Sequence, residues 1–345
     1  MLDTLRSPRD EKEIEQRLTE PTGATVSAAR AFGGDLLILG AGGKMGPSLA
    51  VLARRSLQAA GLPHRVVCVS RFSAPLTADQ LRAAGVEVIA ADLLAPGALE
   101  ALPDAPNVIY LAGMKFGSTG AEPLTWALNA FLPGLVARRF AHARVVALST
   151  GNVYPFVPVI SGGATEQTPP APRGEYAMSC LARERMFQHA ALAWGARVTL
   201  IRLNYANDLR YGVLRDIAER VLAGEPVDLS MGAVNVIWQG DANNVILQCL
   251  PLCASPARIL NVTGPETVPV RWLAEQFGAL FGRAPVFVGQ EGPDALLSNA
   301  AECCRLFGYP RVTLTQMIEW TAGWMQQGGR SLGKPTHFET RDGKY

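Results

Sequence analysis

The sequence of 345 residues lacks a surplus of either charge: 32 Lys and Arg against 30 Asp and Glu leave a formal net charge of +2. No strong field then draws the chain to nucleic acid or to an anionic membrane, and a small-molecule partner is expected. Histidine is scarce. The four residues, His64, His142, His189 and His337, share no ligand spacing, so no metal site is predicted. The six cysteines, Cys68, Cys180, Cys249, Cys253, Cys303 and Cys304, show neither zinc-site spacing nor the density of a secreted scaffold. They read as reduced, buried, small hydrophobes, with Cys303-Cys304 a helix-core pair. No apolar run approaches the roughly 20 residues that a bilayer requires. The first 20 residues are rich in Asp, Glu, Lys and Arg and lack the apolar core of a signal peptide. A soluble cytoplasmic protein is the expectation.

What the chain does have is apolar content, 48% of its residues, enough for a large core in one large or two closely joined domains. Residues 1–34 read as an N-terminal extension in which Ser7-Pro8-Arg9-Asp10 starts a short charged helix and Pro21-Thr22-Gly23 stops it. From Asp35 short β-rich runs follow one another: 36–39, 65–69, 86–89, 107–111, 144–148 and 197–201. Helical stretches alternate with them, among them 45–60, 122–139 and 175–193. Apolar runs without period-2 alternation, separated by helices, predict strands buried on both faces of a parallel, open α/β sheet over 35–203. Over 204–327 helices near 210–223, 241–252, 269–281 and 313–326, with short runs such as 259–262 between them, predict a smaller α+β substrate-binding lobe. The Gly-rich, charged stretch 328–345 reads as a tail or surface wrap.

The first run, Leu36-Leu37-Ile38-Leu39, feeds directly into Gly40-Ala41-Gly42-Gly43-Lys44-Met45-Gly46, and a helical stretch follows. Glycine suits that junction three times over: the turn is tight, a pyrophosphate must approach the backbone, and the helix must pack near the strand. Gly40, Gly43, Lys44, Met45 and Gly46 are therefore candidate binders of a dinucleotide, in a Rossmann-type doubly wound sheet. The second strand ends in Val69-Ser70-Arg71, a hydroxyl and a guanidinium where an NAD-preferring site usually offers a carboxylate. That pair suits a 2′-phosphate, so NADP is favoured and NAD possible. In Ala90-Ala91-Asp92-Leu93, after the third strand, Asp92 is placed to accept from the adenine amino group.

The fifth strand runs into Ser149-Thr150-Gly151-Asn152-Val153-Tyr154, and about 26 residues later a helix opens with Tyr176-Ala177-Met178-Ser179-Cys180. With these motifs in order, residues 35–326 resemble the extended short-chain dehydrogenases/reductases, the NAD-dependent sugar-nucleotide epimerases and dehydratases typified by UDP-galactose 4-epimerase. The resemblance implies that Leu111-Ala112-Gly113 and Lys115 lie against the cofactor and that Asn129 supports the active site. It further implies that Asn204, in Arg202-Leu203-Asn204-Tyr205, ends the strand after the Tyr helix, that Asp241 belongs to the second lobe, and that Asn261-Val262-Thr263-Gly264 forms a late strand and turn. Many relatives dimerise through helices matching 122–139 and 175–193, which implies a homodimer. In the family the Tyr of Tyr-x-x-x-Lys is the general acid/base, a Ser/Thr hydroxyl holds the substrate oxygen, and the lysine binds the nicotinamide ribose while lowering the phenol pKa.

Here Tyr176 and Thr150 are present, but Cys180 stands where the lysine belongs. Three readings are open at this point. Lys115 supplies the charge and the enzyme is slower or altered; Cys180 is a catalytic thiol, which needs a depressed pKa; or catalysis is lost and an NAD(P)-binding sensor remains. The activity implied is that of an NAD(P)-dependent oxidoreductase or epimerase. Because Tyr205 occupies the place where a nucleotide-sugar site would carry the asparagine, a sugar or sugar acid is as good a substrate as a sugar nucleotide.

Overall fold

A computed structural model describes residues 6–73, 75–115 and 117–344. The first five residues of the expected extension and Tyr345 at the end of the expected tail lie outside the described residues. Seven strands form one sheet: β1 (Leu36–Leu39), β2 (Val66–Ser70), β3 (Glu87–Ala90), β4 (Asn107–Tyr110), β5 (Arg144–Thr150), β6 (Arg197–Leu203) and β7 (Arg258–Val262). All pairings are parallel, in the order β3-β2-β1-β4-β5-β6-β7. The order reverses between β1 and β4. Strands to one side of that point and strands to the other leave a crevice at their carboxyl ends, which is where open α/β sheets take ligands.

The helices are α1 (Glu11–Leu18), α2 (Gly23–Arg30), α3 (Gly46–Ala59), α4 (Pro75–Ala83), α5 (Glu122–Trp126), α6 (Leu132–Arg139), α7 (Gly174–Trp194), α8 (Val213–Ala223), α9 (Gln239–Gln248), α10 (Val270–Phe281), α11 (Ala301–Phe307) and α12 (Leu314–Gln326). A π-helical turn, Ala127–Phe131, joins α5 to α6. Successive residues of β1 serve opposite faces. Leu36 and Ile38 pack with Leu49 of α3 and Ile246 of α9, whereas Leu37 and Leu39 pack with Leu132 of α6 and Phe187 of α7. A third core joins α1, α8, α10 and α12 through Ile14, Ile217, Phe277 and Trp320 and forms the second lobe.

Three sequence expectations need correction. The N-terminal segment is no appendage: it holds two helices, and Thr22, read as part of a stop, caps the second by accepting from the Thr25 amide. Ile14 and Leu18 are wholly buried in the lobe core, and Ala29 and Phe32 under the sheet. The run 259–262, assigned to the lobe, is part of β7 and hydrogen-bonds β6 at the sheet edge; its alternate residues Leu260 and Val262 are buried. Helix α9 likewise lies on the sheet face, where Gln239 and Asn243 both donate to the Ser48 hydroxyl of α3 at 3.0 and 2.9 Å.

The expected tail is a strap. The Leu332 amide donates to the Arg210 carbonyl, Thr336 bonds Asp216 through its amide and hydroxyl, and Arg341 pairs with Asp294. No described helix is long and apolar enough to cross a membrane, and no described cluster of His, Cys, Asp and Glu is arranged for a metal.

Candidate active site

Two cavities meet at the glycine loop. The first, of about 240 Å³, is lined by Gly40, Gly43, Ser70, Arg71, Asp92, Leu93, Leu111, Ala112 and Gly113, so the structure brings most of the expected cofactor residues together. The loop glycines have different reasons. Gly40 has φ 86°, and a Cβ there would lie 2.5 Å from Ala112 Cα. At Gly46 a Cβ would come within 2.6 Å of the Ala41 carbonyl carbon, so that glycine seats α3 against the loop. Gly43 is not demanded by packing: the nearest atom to its Cβ would be the Gly40 carbonyl oxygen at 3.6 Å. The open side of Gly43, at the amino end of α3, fits a pyrophosphate held by backbone amides.

Lys44 and Met45 follow in the loop but face the second cavity, of about 160 Å³, which Lys115, Thr150, Asn152, Asn204, Tyr205, Tyr211 and Thr336 also line. Lys44 Nζ donates to the Ala206 carbonyl at 2.9 Å and stands 3.6 Å over the Tyr211 ring. Burial lowers the Lys44 ammonium to about 7, and lowers Lys115 to about 8. Lys115 donates to the Thr336 carbonyl and lies 5.9 Å from the Tyr176 ring. Tyr205 has φ 43°, a left-handed conformation that turns the chain at the end of β6.

Thr150 ends β5 with its hydroxyl donating to Asn152 Oδ1 at 3.0 Å and accepting from the Asn152 amide. Tyr176, near the start of α7, lies beside the same threonine side chain and beside Cys180. Burial pushes its phenol well above 10 and the neighbouring Cys180 adds to this, while Arg183 and Thr150 oppose. Cys180 is wholly buried, and burial pushes its thiol up against the opposing Arg183 charge. A neutral, enclosed thiol does not attack a substrate, which corrects the reading of Cys180 as a nucleophile.

Arg183, seven residues beyond Tyr176 and so two turns along the same face of α7, escaped the sequence reading. Its guanidinium is buried and donates to the Leu148 carbonyl and to Asn129 Oδ1, both at 2.7 Å. Neither partner is charged, and Arg183 forms no ion pair among the described residues. Asn129 itself, on the π-turn, lines neither cavity. It accepts from the Met114 amide, donates to the Met114 carbonyl and donates to Ser179 at 3.0 Å, locking α7 to the segment after β4.

Below them Glu184 accepts from Ser149 and takes both arms of Arg202, at 3.0 and 2.7 Å, in a wholly buried pair that ties α7 to β5 and β6. Asn204 donates to the Leu296 carbonyl. Asp241 is an anchor for the loop before α12, accepting from the Val312 amide at 2.9 Å. Asn152 and Tyr211 were also missed, since nothing in sequence brings 211 beside 44.

The comparisons with known proteins agree with this geometry. The sequence profile described as the NAD dependent epimerase/dehydratase family matches residues 36–229, more than half of the chain. Among solved structures the chain is similar to MoeE5 in complex with UDP-glucose and NAD, with a TM-score of 0.67 and 20% identity over 86% of this chain and 99% of that one. It is similar to the UDP-glucose 4-epimerase of Thermotoga maritima, with a TM-score of 0.69 and 16% identity over 85% and 99%. For the dTDP-glucose 4,6-dehydratase of Bacillus anthracis in complex with NAD the TM-score is 0.71, at 16% identity over 86% and 97%. No curated protein sequence matches the chain. With the parallel sheet, the glycine loop and the profile in agreement, the chain belongs to the NAD dependent epimerase/dehydratase family.

Proposed function

We propose that this chain is an oxidoreductase or epimerase that moves a hydride between a nicotinamide cofactor and a hydroxyl-bearing carbon of a sugar-like substrate. One observation supports the reading: Thr150, at the end of β5, lines the cavity of the second lobe, and the buried Tyr176 stands beside it. The nicotinamide, when bound, supplies the acceptor and donor of the hydride. The chain supplies the proton and the positioning. Thr150 holds the reacting oxygen, and Tyr176, neutral and beside Thr150, gives a proton to that oxygen when a carbonyl is reduced and takes one back in reverse. Lys115 lies beside the phenol ring, but the cation that opposes the rise of the Tyr176 pKa is Arg183, so the missing lysine's electrostatic part falls to a buried guanidinium.

Ser70 and the exposed Arg71 lie at the adenosine end, and Arg71 makes no ion pair among the described residues. That supports NADP over NAD, although the similar structures carry NAD. Leu124 and Phe131 of the α5–α6 segment and Met178, Leu192 and Trp194 of α7 are exposed apolar residues. A second copy packed on this face is our reading of the assembly.

The test is titration with NADPH and NADH, then absorbance at the nicotinamide band across a panel of sugars, sugar acids and polyols. Turnover that falls about 10²- to 10⁴-fold in Tyr176→Phe supports the assignment. Tight cofactor binding without turnover on any member overturns it.

A further inference from the structure

The side chain of Lys44 is unusual for its place. It belongs to the loop that faces the cofactor crevice, yet it leaves that crevice and enters the lobe cavity, where its ammonium meets a carbonyl and an aromatic face. Among the described residues no carboxylate lies within ion-pair distance of it. Lys115 enters the same cavity from the segment after β4, and Gly212 and Val213 present the amino end of α8 to it, a further partial positive charge. Asp216, outside the lining, is a charged neighbour of both lysines and is already bonded to the amide and hydroxyl of Thr336 on the strap. Asp208, the other carboxylate facing Lys44, is taken up by Arg210 at 2.6 Å. Two lysines and no carboxylate among the lining residues leave a positive cavity, whose wall joins the polar Thr150, Asn152 and Asn204 to the apolar Met45, Leu203 and Val213.

Burying two cations side by side is costly unless an anion completes them. Resting on the hydride-transfer reading above, we propose that the Lys44–Lys115 pair binds the carboxylate of a small polyhydroxylated acid, which makes the substrate a free sugar acid and not a nucleotide sugar. A carboxylate brings one negative charge to the two lysines, whereas a phosphate brings a second toward the neighbouring Asp216. The strap closes the cavity on the side of Thr336: its Gly343 packs on Gly174 at the start of α7 and its Phe338 is buried. Asn152 and Asn204 meet the hydroxyls of the polyol, and Thr150 reaches the reacting oxygen.

The experiment is calorimetric titration of the full chain, with saturating NADP or NAD, using glucuronate, glucose, glucose 1-phosphate and UDP-glucose as probes. Glucuronate is expected to bind at least tenfold tighter than the other three. Lys44→Met is expected to weaken glucuronate by roughly ten- to hundredfold, the range for hydrogen bonds to charged groups, and Lys44→Arg to restore part of it. Should Lys44→Met not fold, the wild type gives the second readout. Lys44 and Lys115 lose their protons near 7 and 8, with Asp208, Arg210, Asp216 and each other as charged neighbours. Glucuronate affinity is therefore expected to fall between pH 6.5 and 8.5 while glucose affinity stays level.

Equal binding of glucose, tighter binding of the phosphate or UDP probes, or indifference to Lys44→Met overturns the proposal. Lys44-dependent binding of glucuronate without any nicotinamide absorbance change keeps the anion site and sinks hydride transfer. Turnover of a neutral sugar, unaffected by Lys44→Met, does the reverse.

Discussion

Gly43→Ala separates cofactor binding from folding. Gly43 adopts no left-handed backbone, and a methyl group there would have its nearest neighbour at 3.6 Å, ordinary van der Waals contact. Alanine at a compatible position narrows the unfolded ensemble and stabilises by about 0.4–1 kcal/mol. With a melting entropy of about 2 cal/mol/K per residue, a chain of this length gains only about 1 °C. The same methyl stands in the space assigned to the pyrophosphate, so dinucleotide affinity is expected to fall at least about tenfold, or 1.4 kcal/mol. At a cofactor concentration near 100 times the wild-type Kd, binding stabilises the native state by about 2.7 kcal/mol, and a tenfold loss leaves about 1.4 kcal/mol. Differential scanning fluorimetry would then show a cofactor-induced rise of roughly 4 °C in the wild type and 2 °C in Gly43→Ala, with calorimetric titration giving Kd directly. Gly46→Ala is the contrast, because its methyl would meet the Ala41 backbone and lower the melting temperature with or without cofactor. Unchanged Kd in Gly43→Ala refutes the assignment of the pyrophosphate to this loop.

The remaining expectations concern charge and assembly. Arg183→Met removes the cation that opposes the burial of Tyr176, so the alkaline limb of the activity profile is expected to move to higher pH, with Arg183→Lys in between; a residue that merely packs would lower stability and leave the limb in place. Glu184→Gln leaves the buried Arg202 without its counter-charge and should cost about 3–5 kcal/mol, a melting temperature lower by roughly 4–7 °C by calorimetry. Arg71→Ala is expected to reduce the preference for NADPH over NADH, and an unchanged ratio of dissociation constants ends the 2′-phosphate assignment. Phe131→Asp with Leu192→Asp is expected to convert a dimer into a monomer by light scattering, since both apolar side chains are exposed on one copy.

What could be read in advance follows from the range of the interactions. The strands β1 to β6 and helix α3 are written in local periodicity and in glycine spacing, and the crevice of Gly40, Gly43, Ser70, Asp92 and Gly113 follows once the sheet order is known. Strand β7 was legible as a strand but not as a neighbour of β6, because nothing local in Ile259-Leu260-Asn261-Val262 distinguishes a sheet edge from a lobe ribbon. Lys44 was assigned to the cofactor because its backbone belongs to the loop; its side chain follows a contact with Ala206, 162 residues away. Arg183 was readable in principle, as a residue on the Tyr176 face of α7, but an arginine in a helix of mixed composition is by default a solvated one. Only the Asn129 and Leu148 oxygens show it to be buried.

The displacement of charge along α7 has a consequence for how the site responds to pH. A lysine four residues after the tyrosine would be both the electrostatic partner of the phenol and a titratable group. Arg183 stays charged over the whole working range, fixed by two bonds under Gly113, so the field it exerts on Tyr176 is constant. The groups that do titrate near neutrality, Lys44 and Lys115, sit in the lobe cavity instead. Their lowered values mean that between about 7 and the ordinary lysine value near 10.4 the unfolded chain binds more protons than the folded one, so stability rises with pH across that window. Anion affinity moves the opposite way, being fully present below about 7 and lost as these ammonium groups deprotonate. Substrate capture and proton transfer thus answer to different residues: KM should climb from pH 7 to 9 while the kcat limb set by Tyr176 lies higher, and substitution at Lys44 should shift the first without the second.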